Sequence, residues 1–254
     1  MRYYADMQHI ALITGASRGI GAATALAAAR AGYAVAVNYR DNSLAADEVV
    51  RAIRAMGGTA ITVQADVAHE DQVLAMFAKV DAKLGRLTAL VNNAGVVDAA
   101  CRVDEMSLAR LQRMFTTNVV GSMVCAREAV LRMSTRHGGS GGTIVNLSSA
   151  AATLGAPGQY VDYAASKGAI DTFTVGLARE VAAEGVRVNA VRPGIIATEI
   201  HASGGQPDRA QNLAAQVPMQ RPGTAEEVAE AIAWLMSPQA SYTTGTILDV
   251  TGGR

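Results

Sequence analysis

The sequence predicts an α/β protein with one doubly wound, parallel, seven-stranded sheet, helices on both faces, and a single domain spanning 1–254. Three observations lead there. Short β-rich runs alternate strictly with amphipathic helical stretches along the whole chain, the pattern of a parallel sheet with crossover helices. The first apolar run ends in three closely spaced glycines that open an alanine-rich helix. No linker, repeat or low-complexity tract divides the chain, since Gly138-Gly139-Ser140-Gly141-Gly142 is short enough to be one turn. With 254 residues, half of them hydrophobic, the chain can bury one large core.

Taken in order, strands are expected near 9–14, 34–39, 59–64, 88–92, 142–148, 186–191 and 245–249. The first runs into Thr14-Gly15-Ala16-Ser17-Arg18-Gly19-Ile20-Gly21. There Gly15 lets the chain leave the strand sharply, Gly19 removes a side chain where backbone must approach a pyrophosphate, and Gly21 lets the helix pack closely on the sheet. The helix N-terminus then faces the phosphates. The second strand ends Val37-Asn38-Tyr39-Arg40, without the acidic residue that accepts ribose hydroxyls in an NAD-selecting site. Arg18 and Arg40 instead offer two cations to a 2′-phosphate, with Asp41 beside them in opposition. Long helices are expected around 103–133 and 162–184. From 195 to 222, Gly, Pro and polar residues interrupt a weak helical pattern, the composition of a mobile lid over a site. Right-handed crossovers gather the loops after the strands along one edge, where such sheets bind ligands.

On the second long helix, Tyr163 and Lys167 stand four apart, which puts a phenol and an ammonium on one face. A neighbouring cation favours phenolate and makes proton exchange feasible near neutral pH, suiting Tyr163 as a general acid or base. The pair also has a plain reading as a surface contact. Lysine occurs only at 79, 83 and 167, so Lys167 is not one of many surface lysines.

Composition excludes several classes. A formal net charge of zero gives no electrostatic footprint for nucleic acid or an anionic membrane. Apolar runs are short and interrupted, and Met1 to His9 is polar, so neither a span nor a secretory leader is expected and a cytoplasmic location follows. Cys101 and Cys125 read as small hydrophobes. His9, His69, His137 and His201 lack ligand spacing, so no bound metal is expected.

Together these motifs resemble the short-chain dehydrogenase/reductase family, in its compact single-domain branch, over essentially the whole chain. The resemblance implies a Rossmann fold binding NADP(H) through Gly15, Ser17, Arg18, Gly19 and Ile20, with Asn38, Tyr39 and Arg40 at the end of the second strand. It implies adenine contacts from Asp66 and Val67, a nucleotide wall from Asn93, Ala94 and Gly95 after Asn92, and a nicotinamide clamp from Pro193, Gly194, Ile196 and Thr198. It further implies a catalytic tetrad of Asn118, Ser149, Tyr163 and Lys167, the last two also touching the cofactor. In that scheme Ser149 hydrogen-bonds the substrate carbonyl and Tyr163 exchanges the proton. Lys167 lowers the Tyr163 pKa and donates to a ribose, and Asn118 holds water behind the lysine. Ser149 to Tyr163 spans fourteen positions, one more than the family's commonest spacing, through an extra residue within 155–162. Alternation from Ile144 and Val145 through Leu147 favours Ser149 over Ser148 as the facing serine.

The activity implied is hydride transfer between NADP(H) and a small-molecule carbonyl or alcohol. The alternatives are an NAD-linked sugar or polyol dehydrogenase and a catalytically silent nucleotide-binding sensor. The chain resembles 3-oxoacyl-carrier-protein reductases and glucose dehydrogenase-like members about equally. Arg136, expected near the site edge, suits an acidic carrier protein, while Glu184 opposes one. A homotetramer with twofold axes is implied by the two long helices and by the 245–253 tail.

Overall fold

Seven parallel strands lie in the order β3-β2-β1-β4-β5-β6-β7. They are β1 (Ile10–Ile13), β2 (Ala34–Tyr39), β3 (Ala60–Gln64), β4 (Ala89–Asn92), β5 (Gly142–Leu147), β6 (Val186–Pro193) and β7 (Ile247–Val250). The computed structural model describes residues 9–199 and 204–254. Strand order reverses between β1 and β4, where Ala11 pairs with Ala89 on one side and Val35 on the other, so a crevice opens beyond the carboxyl ends of those two strands.

Strand periodicity divides the core in two. Ile10 and Leu12 of β1 join one buried cluster with Phe77, Met76, Cys125 and Met133. Ala11 and Ile13 point the other way, into a cluster with Ile53, Val228, Ile232 and Leu235. The first face is covered by α3 (Glu70–Lys83), α5 (Gly121–Met133) and α7 (Val161–Val181), the second by α1 (Gly19–Arg30), α2 (Ser43–Ala55) and α9 (Ala225–Met236). Alanines decide how near two of these helices come. Ala23 and Ala27 of α1 pack on Ala229 of α9, with Ala225 and Ala233 alongside, and no long side chain separates the backbones.

The expected helix over 103–133 is divided into four segments. Val103–Glu105 is one 3-10 turn; α4 (Leu108–Phe115) then begins at Ser107, whose hydroxyl accepts from the Arg110 amide, and a π-helical turn, Thr116–Val120, joins it to α5. The segment 195–222, read as a lid, contains α8 (Arg209–Asn212) and a 3-10 turn, and is anchored by an Ile196–Gly223 bridge. Residues 200–203 of that segment, with His201, lie outside the described residues, as does 1–8. No helix among the described residues is long and apolar enough to cross a membrane.

Candidate active site

The turn after β1 is held by side chains from β2 and β4. Gly15 sits at φ +60°, in the left-handed region that glycine adopts without cost, and its amide donates to Asn38 Oδ1 at 3.0 Å. Asn38 is otherwise spent, donating to the Val63 and Ala65 carbonyls, so this buried residue shapes the turn instead of presenting a side chain to a ligand. Asn93 donates to the carbonyls of Thr14 and Gly15, and the Thr14 hydroxyl accepts from the amides of Asn93 and Ala94. A Cβ on Gly21 would stand 2.5 Å from Asn93 Nδ2 and from the Gly15 carbonyl, so only glycine lets α1 seat here.

Around this turn lies a cavity of about 490 Å³ lined by Gly15, Ser17, Arg18, Gly19, Ile20, Asn38, Tyr39, Arg40, Asp66, Val67, Asn93, Ala94, Gly95 and Thr198. It fits a dinucleotide on three counts. A Cβ on Gly19 would meet no protein atom closer than 3.5 Å, so the room it leaves belongs to the cavity. The first turn of α1 has no side-chain cap and no acidic residue, which leaves its amides to an anion. Arg40 reaches the far end, where its Nε donates to Asp41 at 2.6 Å. The two expected opponents are therefore paired with each other, both exposed.

A second cavity, of about 520 Å³, opens beside the first and shares Ile20, Asn93, Gly95, Val97 and Thr198 with it. Ser149, Tyr163, Lys167, Pro193, Gly194 and Ile196 all line it. Ser149 stands at the Tyr163 phenol and accepts from the Ala151 amide, whereas the Ser148 hydroxyl donates to the Lys167 carbonyl. Burial pushes the Tyr163 pKa up and the bond with Ser149 opposes it. Lys167 Nζ lies 5.6 Å from the Tyr163 ring centroid and donates to the Leu147 carbonyl at 2.6 Å. Burial lowers its own pKa from 10.5 to about 8. The expected lowering of the Tyr163 pKa by Lys167 thus gives way to desolvation of both groups, which leaves the phenol protonated at neutral pH.

Asn118 lines neither cavity. It sits on the π turn, 1% exposed, with Oδ1 accepting from the Val96 amide at 2.8 Å and Nδ2 donating to the Val96 carbonyl. A Cβ on Gly95 would fall 3.4 Å from Asn118 Oδ1 and 3.6 Å from Lys167 Nζ, so the glycine keeps clear a gap between amide and ammonium. The widened helical turn that aims Asn118 there has no signature in the sequence.

Two other features escaped sequence reasoning. Arg110 on α4 makes a bidentate pair with Asp162, the neighbour of Tyr163, at 2.8 and 3.2 Å, and donates to the Ala99 carbonyl at 2.6 Å. This buried clamp holds the first turn of α7 against the loop after β4. Asn92 donates to Asn146, which donates to Thr174, tying β4, β5 and α7 together behind the site. The reading of Arg136 needs correction. It precedes β5, at the amino edge of the sheet away from both cavities, and pairs at 3.9 Å with Glu184, which precedes β6.

Similarities to known proteins agree with this geometry. A family model described as enoyl-(acyl carrier protein) reductase matches residues 15–254. The chain is 57% identical over 245 residues to the uncharacterized oxidoreductase YgfF of Escherichia coli K12, covering 96% of this chain and 99% of that one. It is 42% identical over 250 residues to a 3-oxoacyl-[acyl-carrier-protein] reductase of Synechocystis, covering 96% of each. Among solved structures, a short-chain dehydrogenase from Burkholderia cenocepacia in complex with NADP superposes with a TM-score of 0.87 at 35% identity, over 96% of this chain and 97% of that one. With a seven-stranded parallel sheet, a glycine turn at the strand-order reversal and relatives matched end to end, the chain belongs to the short-chain dehydrogenase/reductase family of oxidoreductases.

Proposed function

We propose that the protein reduces a carbonyl compound, or oxidises the corresponding alcohol, with NADP(H), and that Tyr163 exchanges the proton. The observation that carries this reading is the junction of the two cavities: the glycine-turn cavity meets, at Asn93, Gly95 and Thr198, the one lined by Ser149, Tyr163 and Lys167. The cofactor, when bound, supplies or accepts the hydride. Ser149 orients the substrate oxygen and Tyr163, protonated at neutral pH, donates to it, which favours reduction. Lys167 holds positive charge beneath the phenol, and Asn118 fixes the backbone at Val96 that frames the gap between them.

Preference for NADP(H) over NAD(H) rests on Arg18 and Arg40 at the nucleotide cavity and on the absence of an acid at the end of β2. The exposed Arg40–Asp41 pair is cheap to break, so Arg40 can turn to a 2′-phosphate. One charge-assisted hydrogen bond of about 1.5–3 kcal/mol gives a preference of roughly tenfold or more. That Asp41 already engages Arg40 favours the other reading, an NAD-linked sugar or polyol dehydrogenase, but the substrate cavity has Val97, Leu154, Pro157 and Leu213 in its wall, poor partners for a polyol. Comparing kcat/KM for NADPH and NADH over a panel of ketones and sugars, then repeating with Arg40→Asp, tests both. Equal cofactor efficiencies would overturn the assignment, and absence of any turnover would favour a silent sensor.

The same reading includes a cytoplasmic homotetramer. Leu108, Phe115, Val120, Met123 and Leu131 stand exposed along α4, the π turn and α5, as a paired-helix interface requires. Light scattering that shows a monomer at micromolar concentration would exclude it.

A further inference from the structure

Among the described residues that line the substrate cavity, the ionisable groups other than tyrosine are Lys167, Arg209 and Arg254, with no aspartate or glutamate. Lys167 is engaged beside Tyr163. Arg209, the first residue of α8, is half-buried and held in place: its guanidinium lies 5.1 Å from the centroid of the Tyr160 ring, and Nη1 donates to Gln206 Oε1 at 3.0 Å. It makes no ion pair with a carboxylate among the described residues. A guanidinium has five N–H donors, so stacking on a ring and one bond to an amide leave most of them available along its edge.

Resting on the reading of this cavity as the substrate site, we propose that the substrate is an oxo acid, and that Arg209 binds its carboxylate while Ser149 and Tyr163 hold the ketone. A partly desolvated cation without a carboxylate partner is poorly satisfied, and a bidentate carboxylate satisfies it. Tyr160 links the two groups. Its ring centroid is 6.5 Å from that of Tyr163 and 5.1 Å from the Arg209 guanidinium, which sets an upper limit on the separation of phenol and guanidinium. Val97, Leu154, Pro157 and Leu213 provide apolar wall for methylenes between carboxylate and ketone. The phosphate of a carrier protein's pantetheine arm has the same anionic chemistry, but its long spacer carries the charge well beyond Tyr160, and the placement favours the small acid.

The test compares levulinate and its longer-chain homologues with their methyl esters, by kcat/KM, in the parent and in Arg209→Met, Arg209→Lys and Arg209→Glu. The parent should favour the acid about tenfold or more at its best chain length. Arg209→Met should erase that ratio, Arg209→Lys should keep part of it, and Arg209→Glu should invert it. Calorimetric binding of the saturated carboxylates, which need no turnover, should weaken in the same order. Equal use of acid and ester by the parent, or a ratio that survives Arg209→Met, would overturn the oxo-acid proposal and leave the carbonyl-reductase reading standing. Carboxylate binding that depends on Arg209 in a protein that turns over no ketone would do the reverse. A preference confined to an acetoacetyl thioester of phosphopantetheine over its dephosphorylated form, lost in Arg209→Met, would assign the anion to a carrier arm and overturn the small acid.

Discussion

The two cavities that meet at Gly95 are built by opposite means. The nucleotide cavity is centred on backbone: a contiguous glycine turn, braced by Asn38, Asn93 and Thr14, with the first amides of α1 uncapped, to which the ends of β2, β3 and β4 add side chains. The substrate cavity is made of side chains brought from separate places, the loop before α7, the end of β6, α8 and the C-terminal residue. A backbone site tolerates little change in its own few positions. A side-chain site can be rebuilt one residue at a time.

The sharpest way to separate the two is Tyr163→Phe. Loss of the hydroxyl keeps the ring, so dinucleotide affinity should hold while turnover falls about a hundred- to ten-thousandfold. Single-turnover kinetics with a fluorescence titration of NADPH measures both, and parental rates in the variant would remove Tyr163 from the chemistry.

Lys167 lines the second cavity, and its burial has a thermodynamic signature. Its pKa is lower in the fold, about 8, than its ordinary 10.5, so between those values the unfolded chain binds more protons. Stability from this group therefore rises with pH from about 8 to 10.5, and below pH 8 the cost of burying the ammonium is present in full. Lys167→Met should stabilise the fold at pH 7 by roughly 2–3 kcal/mol, less about 1 kcal/mol for the lost bond to Leu147, with the gain shrinking as pH rises. Denaturant melts at pH 7 and pH 10 check this; a gain that does not depend on pH would contradict it.

Gly21→Ala probes the backbone site. The added Cβ meets backbone and the Asn93 amide at 2.5 Å, so the turn must shift, at a cost of roughly 2 kcal/mol in stability and with weakened dinucleotide binding. The smallest effect is expected in the wall of the other cavity. Ala156 is held at φ +46°, a left-handed conformation that costs a residue with a Cβ about 1 kcal/mol. Ala156→Gly should raise the melting temperature by a degree or a few, without changing dinucleotide affinity. Stability lost instead of gained would show that the Ala156 methyl packs better than its backbone is strained.

How far each cavity could be read in advance follows the same division. Strands were legible nearly to the residue, because buried parallel strands read as short, largely apolar runs: β2 was expected and found at 34–39, and β6 runs two residues past its expected end, to Pro193. The glycine turn was legible because its function lies in local backbone conformation that few residue types can adopt. The π turn under Asn118 was not, since a helix one residue wider has the same apolar pattern. Nor was the Arg110–Asp162 clamp, whose partners are 52 positions apart and look, in sequence, like ordinary surface charges. Arg136 shows the limit from the other side: a charge can be counted in a sequence, but the edge of the sheet on which it lies was misread.

By itself, then, the sequence determined the sheet, the turn at the end of β1 and the residue types available for proton transfer, because periodicity and glycine act over a few consecutive positions. Only the tertiary structure decided that burial raises the Tyr163 pKa, that Lys167 bonds Leu147, and that Arg209 lies over the Tyr160 ring in the wall of the second cavity. Those outcomes depend on burial and on contacts between segments far apart in the chain, and desolvation is a property of a place in the fold, not of a residue.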